Sequence, residues 1–426
     1  MTAVREVLEG WTTEVAERNA ELYRDLHQHP ELSLQEHRTA ATVAAALSSL
    51  DVELTTGVGG TGVVAVLRNG DGPVVMLRAD MDALPVAEAT GLPYASTVEA
   101  IDASGVSVPV AHACGHDMHT ACLVGALSLL AGNRSAWSGT VVGVFQPAEE
   151  LVCGAAAMIN DGLFERFPVP QIVLGQHVGP LPAGVIGYAR GPMMAGMDSL
   201  DVTFFGRGGH ASTPEAAVDP VVMAAATVMR LQTVIAREVP STERAVLTVG
   251  RLQAGTKANI IPDTAELGID MRTYSAEVRD ALRAATERIV RAEAQASNAP
   301  RDPVLHWTIS TPILISDPDA TDTTVSAFTG YFGTERMLAL PPVSASEDVG
   351  AFGAALGVPT VFWFYGGVGA DALAEAGRTG KPVAFNHSPE FAPAIEPTLT
   401  TGVAALVVAA LTWLRGDESP DSLIDQ

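Results

Sequence analysis

Lysine is almost missing from this chain. Only Lys257 and Lys381 occur among 426 residues, and 25 basic residues stand against 49 acidic ones, a formal charge of −24. Such a field argues against nucleic acid and against anionic membrane surfaces as partners. Cysteine is nearly as scarce. Cys114, Cys122 and Cys153 are odd in number and contain no CxxC pair, so no disulfide framework is expected and the cytoplasm is the natural compartment. No apolar run approaches a membrane span. The opening stretch "MTAVREVLEGWTTEVAERNAELYRDLHQHPE" reads as one amphipathic, acid-bearing helix stopped by Pro30, not as a signal peptide. What the chain has in quantity is apolar residues, 47% of the total. Its length suits two domains, and only the last dozen residues read as disordered.

The pattern along the chain is α/β at both ends. "TGVVAVLRNGDGPVVMLRADMDALP" reads as two apolar strands joined by a tight turn. "GTVVGVF" and "QIVLGQHV" are further buried strands, with helical patterns at "TACLVGALSLLAG" and "GAAAMINDGLF". This alternation predicts a mixed, largely buried sheet. Between about residues 190 and 314 the pattern changes. Four half-exposed strands ("DSLDVTFFGRG", "RAVLTVGRLQAG", "TAELGIDMRTY", "PVLHWTIST") and two long helices predict a small α+β domain with an antiparallel sheet. The α/β character resumes at 315–426, with "GVPTVFWFYG" as a strand and "LTTGVAALVVAALTWL" as a closing helix. The expected organisation is therefore an α/β domain from 1–189 and 315–426, with a second domain inserted at 190–314.

Chemistry gathers in short stretches. "AHACGHDMHTA" (111–121) holds three of the ten histidines. Asp117 reads as the N-cap of the apolar helix that follows, which puts Cys114 and His116 in one turn. A helix N-terminus and a nearby cation would favour the thiolate, the form that binds metal; the alternative is a buried structural cysteine. "VFQPAEE" ends in Glu149 and Glu150, adjacent carboxylates that are costly to bury unless cations offset them. His177 in "VLGQHVGP" and His387 in "FNHSPEF" complete a set that falls at or after strand ends, where α/β sheets place their sites.

Taken in order, "LRADMDALP", "HACGHDMH", "FQPAEE", "GQHV", "GRGGHAS", "NIIPDTAELGIDMRT", "SEDVGAFG" and "NHSPEF" resemble the motifs of the metallo-aminoacylase family. The similarity is to its branch of hippurate hydrolases, auxin-conjugate amidohydrolases and bacterial N-acyl-amino-acid amidohydrolases, relatives of the zinc carboxypeptidases. It spans nearly the whole chain. The resemblance implies a metallopeptidase-like catalytic domain with an inserted lid through which the protein dimerises. It implies two divalent ions, zinc or manganese first, with cobalt or nickel admitted. Cys114, His116, Glu150, His177 and His387 are then the ligands and Glu149 the general base. Where other branches carry a ligand histidine in a His-x-Asp motif, this chain has Asp80; His116 supplies the imidazole and Asp82 orients a ligand. His112 and His119 are assigned supporting places. In the lid, His210 polarises the scissile carbonyl, often across a dimer, and Asn259 and Arg272 face the substrate carboxylate. One departure is "LVC" at Leu151–Cys153, where relatives carry glycines, and it bears on the pocket. The implied reaction is hydrolysis of an N-acyl amino acid. An exopeptidase or dipeptidase, a deaminase or carbamoylase, or a binding protein with a dead site are the competing readings.

Overall fold

Gly139 shows how the chain builds its large sheet. The computed structural model describes residues 2–414, so the expected disorder of residues 415–426 lies outside the described residues. The strands Gly62–Asn69 and Val74–Asp80 form where the apolar runs predict them, yet they do not pair with each other. Gly139–Gln146 lies between them, antiparallel to the first and parallel to the second. The turn expected to close a hairpin instead crosses the end of this intervening strand, where the Thr140 amide donates to Pro73 O at 2.9 Å. Gly139 has φ +109°, and a Cβ there would collide with the Pro73 carbonyl. Periodicity identifies the strands but carries no record of their neighbours.

The full sheet has eight strands. Their order is Glu53–Val58, Gly62–Asn69, Gly139–Gln146, Val74–Asp80, Ile172–Pro182, Thr360–Val368, Ile186–Tyr188 and Met337–Ala339. The central strands run parallel and are buried on both faces, which is why they read as continuous apolar runs. The helices His116–Gly132 and Ile395–Trp413 belong to the same core. Ile395–Trp413 has 19 residues and a mean hydropathy of 1.5, long and apolar enough to cross a membrane by length and composition. That corrects the expectation that no run reaches such a length. Its apolar window is 72% buried inside the protein, and that burial makes it a core helix.

Two local expectations also change. The N-terminal helix is two helices, Thr2–Leu8 and Thr13–Gln28, parted at Gly10 and restarted by Thr12, whose hydroxyl accepts from the Val15 amide. Asp117 is not an N-cap. Gly115, at φ +87°, holds that place, and His116 is already helical. Asp117 lies in the first turn, where it accepts from the Met118 amide and meets His27 Nδ1 at 2.6 Å.

These segments form one compact unit, reaching to Gly191 and taking in Ile315–Pro341 and the chain from Asp348. The second unit is Pro192–Leu314 with Pro342–Glu347. Its antiparallel sheet runs Ala245–Ala254, Thr264–Thr273, Gly196–Phe205, Val304–Thr311. Alternate residues of the sheet, among them Leu200, Val202, Leu267 and Ile269, pack on Met223 and Leu231 of Pro220–Arg237 and on Leu282 and Ile289 of Ala276–Ala296. Asp219 and Ser275 cap these two helices.

His27 ties the first unit together near its site. The buried ring lies between Asp117 and Glu88, the latter at 3.1 Å from Nε2. Burial opposes its charge, but the charge and hydrogen bond of Asp117, joined by Glu88, lift its pKa to about 10. The native pKa lies above the unfolded value of about 6.5. Its stabilisation is therefore full below that pH and is lost as pH rises through about 10. His27→Gln should lower unfolding free energy by about 3 kcal/mol or more at pH 6, and the gap to the parent should shrink towards pH 10. Urea titrations across that range would show it; a gap that does not change with pH would place the charge elsewhere.

Candidate metal centre

Gly115 is what lets two ligand candidates share one turn. Its left-handed backbone separates Cys114 from His116, and a Cβ there would strike Val178. Both flanking side chains are buried. The His116 ring donates from Nδ1 to Asp82 Oδ1 at 3.2 Å. That leaves Nε2 facing Asp80 Oδ2 at 3.7 Å, Glu150 Oε1 at 3.8 Å and Glu149 Oε2 at 3.9 Å. The other oxygen of Asp82 accepts from Ser33 Oγ at 2.6 Å and from the Glu150 amide at 3.0 Å. One carboxylate thus orients an imidazole and also pins the glutamate turn.

That turn follows the strand Gly139–Gln146 and is held from outside as well. Ala148 takes φ +50°, and its amide donates to Glu36 Oε1 at 2.8 Å. Glu36 is fully buried and accepts from Thr61 Oγ1 through its other oxygen. Leu151, Val152 and Cys153 then close a tight turn, with Val152 at φ +53° donating to Glu149 O at 2.6 Å. Leu151 is half exposed, and Cys153 is a free, partly buried thiol.

His177 comes from the middle of the parallel strand Ile172–Pro182 and not from its end as expected, because the strand continues past it beside Thr360–Val368. Its Nδ1 donates to Val178 O at 2.8 Å, which leaves the Nε2 lone pair 3.4 Å from Cys114 Sγ. His387 sits at φ +70°, its amide on Ala113 O at 2.7 Å and its Nε2 3.4 Å from Glu150 Oε1. Asn386 beside it donates to Cys114 O and to Val178 O, both at 3.1 Å. The five expected donors therefore converge within one unit, with Glu149 beside them and Asp82 behind His116.

The donors fit a divalent ion. Atoms of Cys114, His116 and Glu150 lie within 4.8 Å of one another. His116 Nε2 and Glu150 Oε1 are buried and have no hydrogen-bond partner, an expensive state unless a ligand joins them. The field asks for positive charge. Burial would lower the His116 pKa, yet the charge of Asp80, helped by Asp82, raises it to about 10. Burial first, then the charges of Glu150 and Glu149, push the Cys114 thiol well above its usual range. The helix N-terminus alone therefore does not favour the thiolate; a bound cation would. Burial keeps His177 neutral, well below the usual histidine range. Thiolate, imidazole and carboxylate together suit zinc and its neighbours.

A second cluster, Asp80, His116, His119 and His177, is also close enough to hold an ion. Asp80 and His119 are already engaged. Asp80 Oδ1 meets His119 Nδ1 at 2.5 Å, its Oδ2 takes Arg78 Nη1 at 2.7 Å, and His119 Nε2 accepts from the Val178 amide at 2.8 Å. This cluster frames the ligands. Behind it Arg78, fully buried, reaches Gln146 Oε1 at 2.8 Å and Asp348 Oδ1 at 3.3 Å. Sequence pattern alone passes over Arg78, Gln146, Asp348, Asn386 and Glu36. The available signal was an arginine inside the apolar strand Val74–Asp80, since a buried guanidinium needs anionic partners. His112 is buried with neither ring nitrogen hydrogen-bonded, and burial lowers its pKa to about 4.

The remaining candidates lie in the second unit. His210 forms a two-residue strand with Ile260, and the Ala211 amide donates to Asn259 O at 3.1 Å, so His210 and Asn259 are exposed neighbours. His210 Nδ1 accepts from the Ser212 amide at 3.1 Å, which puts the ring proton on Nε2. Arg272 is held by Asp270 at 2.8 Å and by Ser346 Oγ at 2.8 Å. No hydrogen bond joins it to His210 or Asn259 among the described residues.

The sequence profile of Peptidase family M20/M25/M40 matches residues 76–381. The chain belongs to this family. It is similar to an N-acetylcysteine deacetylase of Bacillus subtilis, 40% identical over 61% of this chain and 66% of that protein, just under two thirds of its length. It is 37% identical to the hippurate hydrolase of Campylobacter jejuni over 77% of this chain and 82% of that one. The crystal structure of a dinuclear metal-binding M20 peptidase from Bacillus subtilis matches with a TM-score of 0.75 and 30% identity, over 94% of this chain and all of that one. The fold and reaction class expected from the motifs are those of M20 enzymes: this is a metal-dependent amidohydrolase.

A metal ion held by His116 and Cys114 would displace their protons. Titration calorimetry in buffers of different ionisation enthalpy should show about two protons released at neutral pH. Cys114→Ala should release about one fewer and lose affinity for at least one ion; two ions held at full occupancy by that variant would remove the thiolate from the site.

Proposed function

We propose that the protein hydrolyses the amide bond of N-acyl amino acids, giving a carboxylic acid and a free amino acid. Two divalent ions are held by Cys114, His116, Glu150, His177 and His387. The observation that carries this reading is the convergence of those five donors beside Glu149, with buried, unpartnered atoms on His116 and Glu150. The similar proteins named for N-acetylcysteine and for hippurate support an acylated amino acid as substrate. Zinc or manganese suits the donor set best, with cobalt and nickel also admitted. The three free thiols support a cytoplasmic setting.

When bound, the ions supply Lewis acidity and lower the pKa of water. Glu149 takes a proton from the attacking water as its oxygen bonds to the acyl carbon. The carbon–nitrogen bond breaks, and Glu149 returns the proton to the leaving amine. His210, whose proton is on Nε2, donates to the carbonyl oxygen as charge develops there. Asn259 and Arg272 hold the substrate carboxylate, for which Arg272 must loosen its bond to Asp270. Leu151, Val152 and Cys153 set the shape of the acyl pocket. A homodimer through the second unit is supported by its exposed edge strand Ala245–Ala254, with Val246 and Leu252, and by exposed Val222 and Met229 on Pro220–Arg237. The direct test is a screen of N-acyl amino acids against dipeptides, with each metal restored to metal-free protein; turnover of dipeptides alone would overturn the substrate assignment.

The two glutamates have different work and should fail differently. Glu149→Gln should retain both ions while kcat drops by about 10²–10⁴. Glu150→Gln should lose metal, as elemental analysis would record; the opposite result would exchange their roles.

If His210 serves the partner's site, mixing inactive Glu149→Gln and His210→Ala dimers should restore activity. Random exchange makes about half the dimers hybrid and about a quarter of the sites complete. Exchange verified by native mass spectrometry without recovered turnover would keep His210 out of the partner's site.

A further inference from the structure

His119 is a buried imidazole that the proposed chemistry does not use, yet it stands among the ligands. Its hydrogen bonds have a fixed polarity. Arg78 Nη1 donates to Asp80 Oδ2 at 2.7 Å, and both side chains are fully buried. Asp80 is paired as a carboxylate with that guanidinium. Its Oδ1 can only accept, so the 2.5 Å contact fixes a proton on His119 Nδ1. The Val178 amide can only donate, so His119 Nε2 carries no proton and the ring is neutral. His119 Nε2 is therefore an acceptor, and it takes the Val178 amide at 2.8 Å. Val178 O in turn accepts from His177 Nδ1 at 2.8 Å. The last atom in this series is His177 Nε2, the lone pair aimed at Cys114 Sγ 3.4 Å away.

We propose that His119 is a positioning residue that holds Val178 by its amide and thereby decides which nitrogen of His177, and at what angle, faces the metal centre. Imidazole ligands usually have the second nitrogen fixed by a carboxylate or carbonyl. His116 has that arrangement directly, with Asp82. For His177 the support is indirect, because the carbonyl it uses belongs to a residue that Asp80 and His119 clamp from the other side. Asp80 is fully committed to this support, since its two oxygens serve Arg78 and His119. The inference rests on the metal-site reading above.

The test separates the two ring nitrogens of His119. His119→Asn keeps a donor near Asp80 and removes the acceptor for Val178; His119→Gln keeps an acceptor at the distal position. Zinc titration against a chromophoric chelator should show one of two ions bound about 10–100-fold more weakly by the Asn variant, with the Gln variant closer to the parent. A merely structural role would lower the melting temperature of both metal-free variants and leave the two zinc affinities unchanged. Unchanged affinities in the Asn variant, or equal weakening in both variants, overturn the proposal. Should the Asn variant not fold, long-range ¹H–¹⁵N correlation on the metal-free parent gives the same decision. Protons on Nδ1 of both His119 and His177 support the proposal, and a proton on His177 Nε2 overturns it. A parent protein that binds no zinc would instead strike at the reading of the site itself.

Discussion

Too much negative charge around one imidazole is the constraint on which this structure turns. Asp80, Asp82, Glu149 and Glu150 all place an oxygen within 3.9 Å of a His116 nitrogen. Buried carboxylates at such spacing repel strongly unless cations stand among them. The protein meets this from two sides. Arg78 neutralises the back of the cluster through Asp80 and Asp348. The front is left to His116 and, in the functional state, to metal. Ser33 and the Glu150 amide hold Asp82 in place, and Glu36, itself held by Thr61, fixes the glutamate turn through the Ala148 amide.

The sheet delivers these groups to one level. Asp80 is paired in register with Gln146, and Arg78 lies opposite Val144 on one side and Gly175 on the other. Two of three neighbouring parallel strands end side by side and hand over Asp80 and Asp82, and Glu149 and Glu150, while Ile172–Pro182 runs on past them and presents His177 from its middle. Apart from His177, the site lies beyond the carboxyl ends of these strands, as open parallel sheets arrange their ligands. Because the strands are buried on both faces, the floor of the site is stiff, and the variable parts are the turns above it.

Much of this could be read from residue order alone. Every donor that meets at the centre lies in a short motif with unusual composition, and the change from buried to alternating strands marks the second unit. What could not be read is what the topology adds. Gln146 and Asp348 are far apart in sequence, and only the sheet and the loop before Gly350–Leu356 bring their side chains to Arg78. Asn386 escapes notice because an asparagine next to a histidine has no distinctive spacing; its importance comes from two carbonyls belonging to other segments. The "NGDG" turn misleads for the same reason, since local periodicity gives a strand but not its neighbour. Asp117 has the chemistry of a cap, yet the demand for a left-handed residue at that point gives the place to Gly115.

The burial of Cys114 bears on how the protein survives oxidants. Only a thiolate reacts readily with peroxides or alkylating agents. A metal ion held by Cys114 would share the sulfur's electron pairs. Without metal, burial and the charges of Glu150 and Glu149 keep the proton on sulfur. Neither state would present a free thiolate, so a molecule without its ions would keep this sulfur from oxidation.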